Sequence, residues 1–148
     1  MKKLFVIMGA LLIAATCLAA DKISGAYGHS YRIKDHPLGN IPFGSSIKIK
    51  KQSEDSAFVQ ITLNEATAGS SCGGGLSGVG KLIKDKITLT KTEDKETCVV
   101  SITVSNNAAH VTQELNCTGF HGAGCSFDEA ASNLPKINRR TRNRKTQQ

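Results

Sequence analysis

The stretch Glu96 to Phe127, ETCVVSITVSNNAAHVTQELNCTGFHGAGCSF, holds the clearest strand pattern in the chain and three of its five cysteines. Cys98, Val100, Ile102 and Val104 alternate with Val99, Ser101 and Thr103, the period-two pattern of an extended segment with one buried face. Ser105-Asn106-Asn107-Ala108 follows, and asparagine tolerates the backbone of a tight reversal. Beyond it Val111, Leu115 and Cys117 share one parity while His110, Thr112 and Glu114 take the other. The spacing predicts a β-hairpin that runs into a cysteine-bounded loop, Cys117-Thr118-Gly119-Phe120-His121-Gly122-Ala123-Gly124-Cys125.

Working outward, further short strands fall at close spacing. Tyr27 to Lys34 is one. Ser45 to Lys51 puts Ile47 and Ile49 opposite Lys48 and Lys50, and Phe58 to Leu63 alternates in the same way. Lys86 to Lys91 sets Ile87 and Leu89 against Thr88 and Thr90, with Thr92-Glu93-Asp94-Lys95 as the turn into the Cys98 strand. Helical periodicity is nearly absent. The expected fold is all-β: a single small antiparallel β-barrel or sandwich with two disulfides. Between Glu65 and Lys81 the Gly-, Ala- and Ser-rich composition predicts one long irregular loop.

Residues 1–20 have the layout of a secretory signal: Lys2 and Lys3, an apolar run from Leu4 to Ala15, then small residues up to Ala20. The run is shorter than the about 20 residues of a membrane span, so no transmembrane segment is expected. Cys17 could instead be a lipidated first residue, but Ala14-Ala15-Thr16 before it matches a lipoprotein signal poorly. The expected division is a signal at 1–20, an exported β domain at 21–135 and a basic tail at 136–148, with the mature chain periplasmic or secreted and of bacterial origin.

Export leaves Cys72, Cys98, Cys117 and Cys125, an even number for an oxidising compartment, hence two disulfides. Three pairings are open. Cys117 with Cys125 would close a local loop, and Cys72 with Cys98 would pin the glycine-rich segment to the strand that follows it.

The formal net charge is +7, but it is unevenly placed. The tail holds Lys136, Arg139, Arg140, Arg142, Arg144 and Lys145 with no acid, whereas 21–135 has 11 basic against 12 acidic residues. The basic character belongs to the tail, which is polar, aperiodic and expected to be disordered.

Motifs for chemistry are sparse. Gly75-Leu76-Ser77-Gly78-Val79-Gly80-Lys81 fits the start of a phosphate-binding loop, but Leu82 stands where the magnesium-binding hydroxyl is needed, and no helix pattern follows. Cys117, His121 and Cys125, with His29, His36 and His110 available, lack a common zinc spacing, and paired thiols would not ligate. No metal and no cofactor is expected. Ser77, His121 and Asp128 have no local signature of a hydrolase, so the chain is read as a non-enzyme. Asn116-Cys117-Thr118 is an accidental match to a glycosylation acceptor. The tail could meet phosphates, but it lacks aromatics for base stacking, and outside the cytoplasm its polyanions are envelope polymers; nucleic acid is not an expected partner.

The signal, the all-β body and the late loop Cys117-x-x-x-His121-Gly122-x-x-Cys125 followed by Phe127 resemble small periplasmic proteins of the bacterial lysozyme-inhibitor type. In architecture the resemblance covers Ala66 to Phe127. It implies an eight-stranded antiparallel barrel that blocks lysozyme with a Ser-Gly-x-x-Tyr loop. Ser77-Gly78-Val79-Gly80-Lys81 ends in lysine instead, and Ser24-Gly25-Ala26-Tyr27 has its tyrosine one position early.

The expected function is thus an exported bacterial binding protein that inhibits a lysozyme-like cell-wall hydrolase by loop insertion, with Ser77, Lys81 and His121 as contact residues. The alternative is an envelope or surface factor that holds an anionic polymer through Arg139 and Arg140.

Overall fold

The computed structural model describes residues 21–33, 42–67 and 70–138. The expected signal at 1–20, the expected tail from Arg139 and Arg140 onward, and His36 lie outside them. Ten strands account for most of the fold: β1 (Gly25–Gly28), β2 (Tyr31–Arg32), β3 (Pro42–Phe43), β4 (Ser46–Lys51), β5 (Ser56–Thr67), β6 (Ser70–Ile83), β7 (Lys86–Glu93), β8 (Glu96–Ser105), β9 (Ala108–Gln113) and β10 (Leu134–Pro135). A one-turn helix, α1 (Phe127–Ala130), and a 3₁₀ turn, Thr118–Phe120, complete it. Among the described residues no helix is long and apolar enough to cross a membrane.

Eight strands form one antiparallel sheet in the order β1-β4-β5-β6-β7-β8-β9-β10, and β2 and β3 form a separate ribbon. Tyr27 bridges Lys136, and the Ile137 amide donates to the Ala26 carbonyl at 2.7 Å, so the two ends of the sheet meet. The result is a nearly closed barrel, as the alternating sequence predicts.

The alternation sets what lies inside. Ile47 and Ile49, Val59 and Ile61, Ile87 and Leu89, and Val100 and Ile102 are buried, and Tyr27, Phe127 and Leu134 fill the interior between them. The Tyr27 hydroxyl donates to the Ile23 carbonyl at 2.8 Å; burial, then the nearby Asp21 charge, raises its pKa above the ordinary tyrosine value. Two hairpins turn through left-handed residues, Asp94-Lys95 at φ 45° and 74° and Asn106-Asn107 at φ 50° and 61°. Both are two-residue loops whose primed twist suits the flanking strands, and they fix the registers Glu93↔Glu96 and Ser105↔Ala108.

Three expectations are corrected. The glycine-rich segment is no loop: it is β6, paired with β5 from Ser56↔Lys81 to Thr67↔Ser70. Gly74 and Gly80 serve packing, since a Cβ at Gly80 would stand 2.9 Å from the Thr88 carbonyl oxygen and one at Gly74 would stand 2.6 Å from that of Phe120. The second hairpin strand ends at Gln113, so Leu115 is outside it and exposed.

The preferred cysteine pairing is corrected as well. The bonds are Cys72–Cys125 and Cys98–Cys117, with Cα separations of 5.6 and 4.5 Å. Sequence proximity favours local closure, but here register prevails. Glu114 donates its amide to the Val99 carbonyl at 2.8 Å, which carries the chain beside β8 and delivers Cys117 to the inward-facing Cys98.

Candidate functional site

The barrel wall is not uniformly hydrogen-bonded. β6 pairs β7 only through Lys81↔Thr88, Leu82↔Ile87 and Ile83↔Lys86, although both strands run on. Above that short ladder the wall has a seam. The N–H and C=O of a strand residue point to one side, and the next residue's to the other. Leu82 donates its amide to Asp55 on the β5 side, while the Gly73 carbonyl accepts from Gly122 on the opposite side. Odd-numbered residues of β6, including Gly75, Ser77 and Val79, therefore turn their backbone to the seam.

The segment Cys117–Cys125 crosses the upper end of this seam. Cys117 bonds it to Cys98 of β8, and Cys125 bonds it to Cys72 of β6. Between the two bonds His121 bridges Gly74, and the Gly122 amide donates to the Gly73 carbonyl at 2.9 Å. On the other lip, Glu96 Oε2 accepts from the Gly119 amide at 2.9 Å. Phe120 is buried beneath the segment. Ala123 and Gly124 are its exposed tip.

His121, expected as a contact residue, is a partly buried strut. Its Nε2 faces Gln113 Oε1 at 3.2 Å, its Nδ1 faces the Gly122 carbonyl at 3.0 Å, and its ring meets the edge of Phe127 with centroids 5.4 Å apart. Gln113 Oε1 also accepts the Phe127 amide at 3.2 Å. One side chain thereby ties the end of β9 to the segment and to α1. Nothing in the sequence singles out Gln113, because its role arises only where three elements converge.

Ser77 and Lys81 are exposed on the outside of β6. Ser77 lines a groove of about 420 Å³ that the seam leaves open, together with Gln60, Thr62, Lys91, Glu93 and Phe120. Lys91 and Glu93 are ion-paired there at 3.3 Å. The structure thus puts Ser77 near the clamped segment, whereas the His121 ring nitrogens bond Gln113 and Gly122, not Ser77 or Asp128.

A second cleft, about 300 Å³, lies beside the Cys72–Cys125 bond and includes His29, Glu65 and Glu129. His29 Nε2 is 3.0 Å from Glu65 Oε1. The Tyr31 hydroxyl accepts the Ala66 amide at 3.0 Å, and burial first, then Glu65, pushes its pKa upward against the lowering pull of Ala66. Among the described residues no cluster of His, Cys, Asp or Glu could hold a metal ion. Cys117 and Cys125 are spent in disulfides, and His110 Nδ1 lies 2.6 Å from the Ser132 carbonyl.

Compared with protein families, with curated proteins and with solved structures, the chain matches none of them.

Proposed function

We propose that the protein is an exported bacterial binding protein that inhibits a lysozyme-like cell-wall hydrolase. The observation that carries this reading is the clamped segment. Thr118 to Gly124 lies across the seam with a disulfide at each end, each to a different strand, and leaves Ala123 and Gly124 exposed, so little freedom is lost when that tip docks in a cleft. The two bonds also suit an oxidising compartment outside the cytosol. In this reading the element that enters the enzyme is the tip around Ala123 and Gly124, and His121 holds its shape; Ser77 and Lys81 lie farther along β6.

The test is a turbidity assay of cell-wall lysis by several classes of lysozyme with the oxidised protein added. Inhibition that disappears when Ala123 is changed to Arg is expected. Full lysis in the presence of excess oxidised protein would overturn the proposal.

A second reading follows from the tail, whose six basic residues stand without an acid. In it Arg139 and Arg140 hold an anionic envelope polymer, with the barrel as scaffold. Binding should then weaken steeply with salt and vanish when Arg139, Arg140, Arg142 and Arg144 are all changed to Gln. Binding unchanged in that variant would remove this reading.

A further inference from the structure

The cross-strand register aligns the outward side chains of β4, β5 and β6 in three rows. Lys50, Phe58 and Val79 form one; Lys48, Gln60 and Ser77 the next; Ser46, Thr62 and Gly75 the third. Lys81, one outward position beyond Val79, adds another ammonium group, with Asp55 as its acidic neighbour. Among the outward residues of these three strands there is no carboxylate. Phe58 and Val79 leave 37% and 56% of their surface in water. The third row runs into the seam groove, where Gly75 has no side chain to fill the floor between Thr62 and Lys91.

We propose that this face binds a strand of anionic polysaccharide. Lys48, Lys50 and Lys81 meet its carboxylates, Phe58 covers the C–H face of a sugar ring, and Gln60, Thr62 and Ser77 exchange hydrogen bonds with ring hydroxyls. Three features select this ligand among polyanions. β5 is laddered on both sides through this region, so an acidic peptide cannot add to it as a strand. The exposed large apolar residues of this face are Phe58, Val79 and Ile83, with Lys81 standing between the last two on β6, so they form no continuous patch to seat in an anionic membrane. Short amide and hydroxyl side chains between the cations match the hydroxyl-rich body of a sugar. Lys48, Lys50, Phe58 and Lys81 lie away from Ala123 and Gly124, although the groove end of the site meets Gly119 and Phe120 of the clamped segment; the site does not depend on the hydrolase reading.

Isothermal titration of the oxidised full chain with polygalacturonate as probe tests the site, with neutral dextran as its uncharged counterpart. Binding of polygalacturonate and none of dextran is expected. With the tail intact, K48Q/K50Q should lower affinity roughly tenfold and F58S roughly fivefold, while R139Q/R140Q should change it less than about twofold. The three barrel substitutions are at exposed positions, and an unchanged thermal midpoint verifies folding. Wild-type affinity in K48Q/K50Q would overturn the proposal. So would equal competition by polyaspartate or phosphatidylglycerol vesicles, because the face would then sense charge alone.

Discussion

Two halves of the barrel wall are joined in different ways. The meander β7-β8-β9 is stitched by continuous ladders, Lys86↔Thr103 to Glu93↔Glu96 and Val100↔Gln113 to Ser105↔Ala108, around two-residue turns. The junction of β6 with β7 has three ladder pairs, and above them the wall is bridged by the chain 117–125 and two disulfides. Where neighbours are close in sequence, backbone hydrogen bonds suffice. Where β6 leaves its neighbour, covalent bonds and a plug close the gap and leave a groove beside Gly119 and Phe120.

If that contrast is correct, the largest effect comes from the cross-links. Replacing Cys72 and Cys125 by Ala opens a bridge between residues 53 apart in sequence and should cost about 4 kcal/mol on the chain-entropy model. Replacing Cys98 and Cys117, 19 apart, should cost about 3 kcal/mol. Denaturant unfolding measures both. Hydrogen exchange of the first variant should show Gly122 losing protection while the amides of Ile102 and Thr112, which face neighbouring strands of the meander, keep theirs; uniform loss would break the distinction between seam and meander.

Glycine substitutions sharpen the comparison at a smaller scale. A Cβ at Gly74 meets the Phe120 carbonyl at 2.6 Å and His121 at 2.8 Å, whereas at Gly73 it meets nothing within 4 Å. Gly74→Ala should therefore destabilise by about 1 to 3 kcal/mol through overpacking, and Gly73→Ala by less than about 0.5 kcal/mol. Thermal unfolding of the pair decides. Equal losses would mean that the plug is not seated against β6.

The smallest effect concerns the entry to β1. Burial opposes the charge on Asp21, but hydrogen bonds from Ser24 and from the Ile23 amide, with Lys51 nearby, outweigh it and hold its carboxyl below the usual value. Its Oδ1 accepts the Ile23 and Ser24 amides at 3.2 and 3.0 Å. A depressed folded pKa means that the stabilisation is complete above the unfolded value, about 3.9, and is lost as pH falls through the folded one. Amide exchange of Ile23 and Ser24, corrected for intrinsic rates, should rise only below about pH 4, and Asp21→Asn should abolish that step.

Much of this architecture is legible in the chain because period-two alternation is a local signal. Ile47 and Ile49, Ile87 and Leu89, and Val100 and Ile102 report their burial through their immediate neighbours, and Asn106-Asn107 announces its own turn. β6 was not legible. A strand with glycine at 73, 74, 75, 78 and 80 lacks alternation and has the composition of a loop; it is extended because β5 pairs it along its length, and at Gly74 and Gly80 neighbouring atoms occupy the space a side chain would need. Ser77 stands out in the sequence through its glycine-rich motif, whereas Gln60, Thr62 and Lys91, which share its groove, lie on other strands and carry no mark of it.

The sequence by itself determined an all-β body with two disulfides, since alternation and an even cysteine count act locally or by number alone. Tertiary structure decided which sulfurs meet, that His121 is a strut, and where the wall is open. Each of these depends on strand register, which brings residues dozens of positions apart within bonding distance, and short-range pattern carries no record of such encounters.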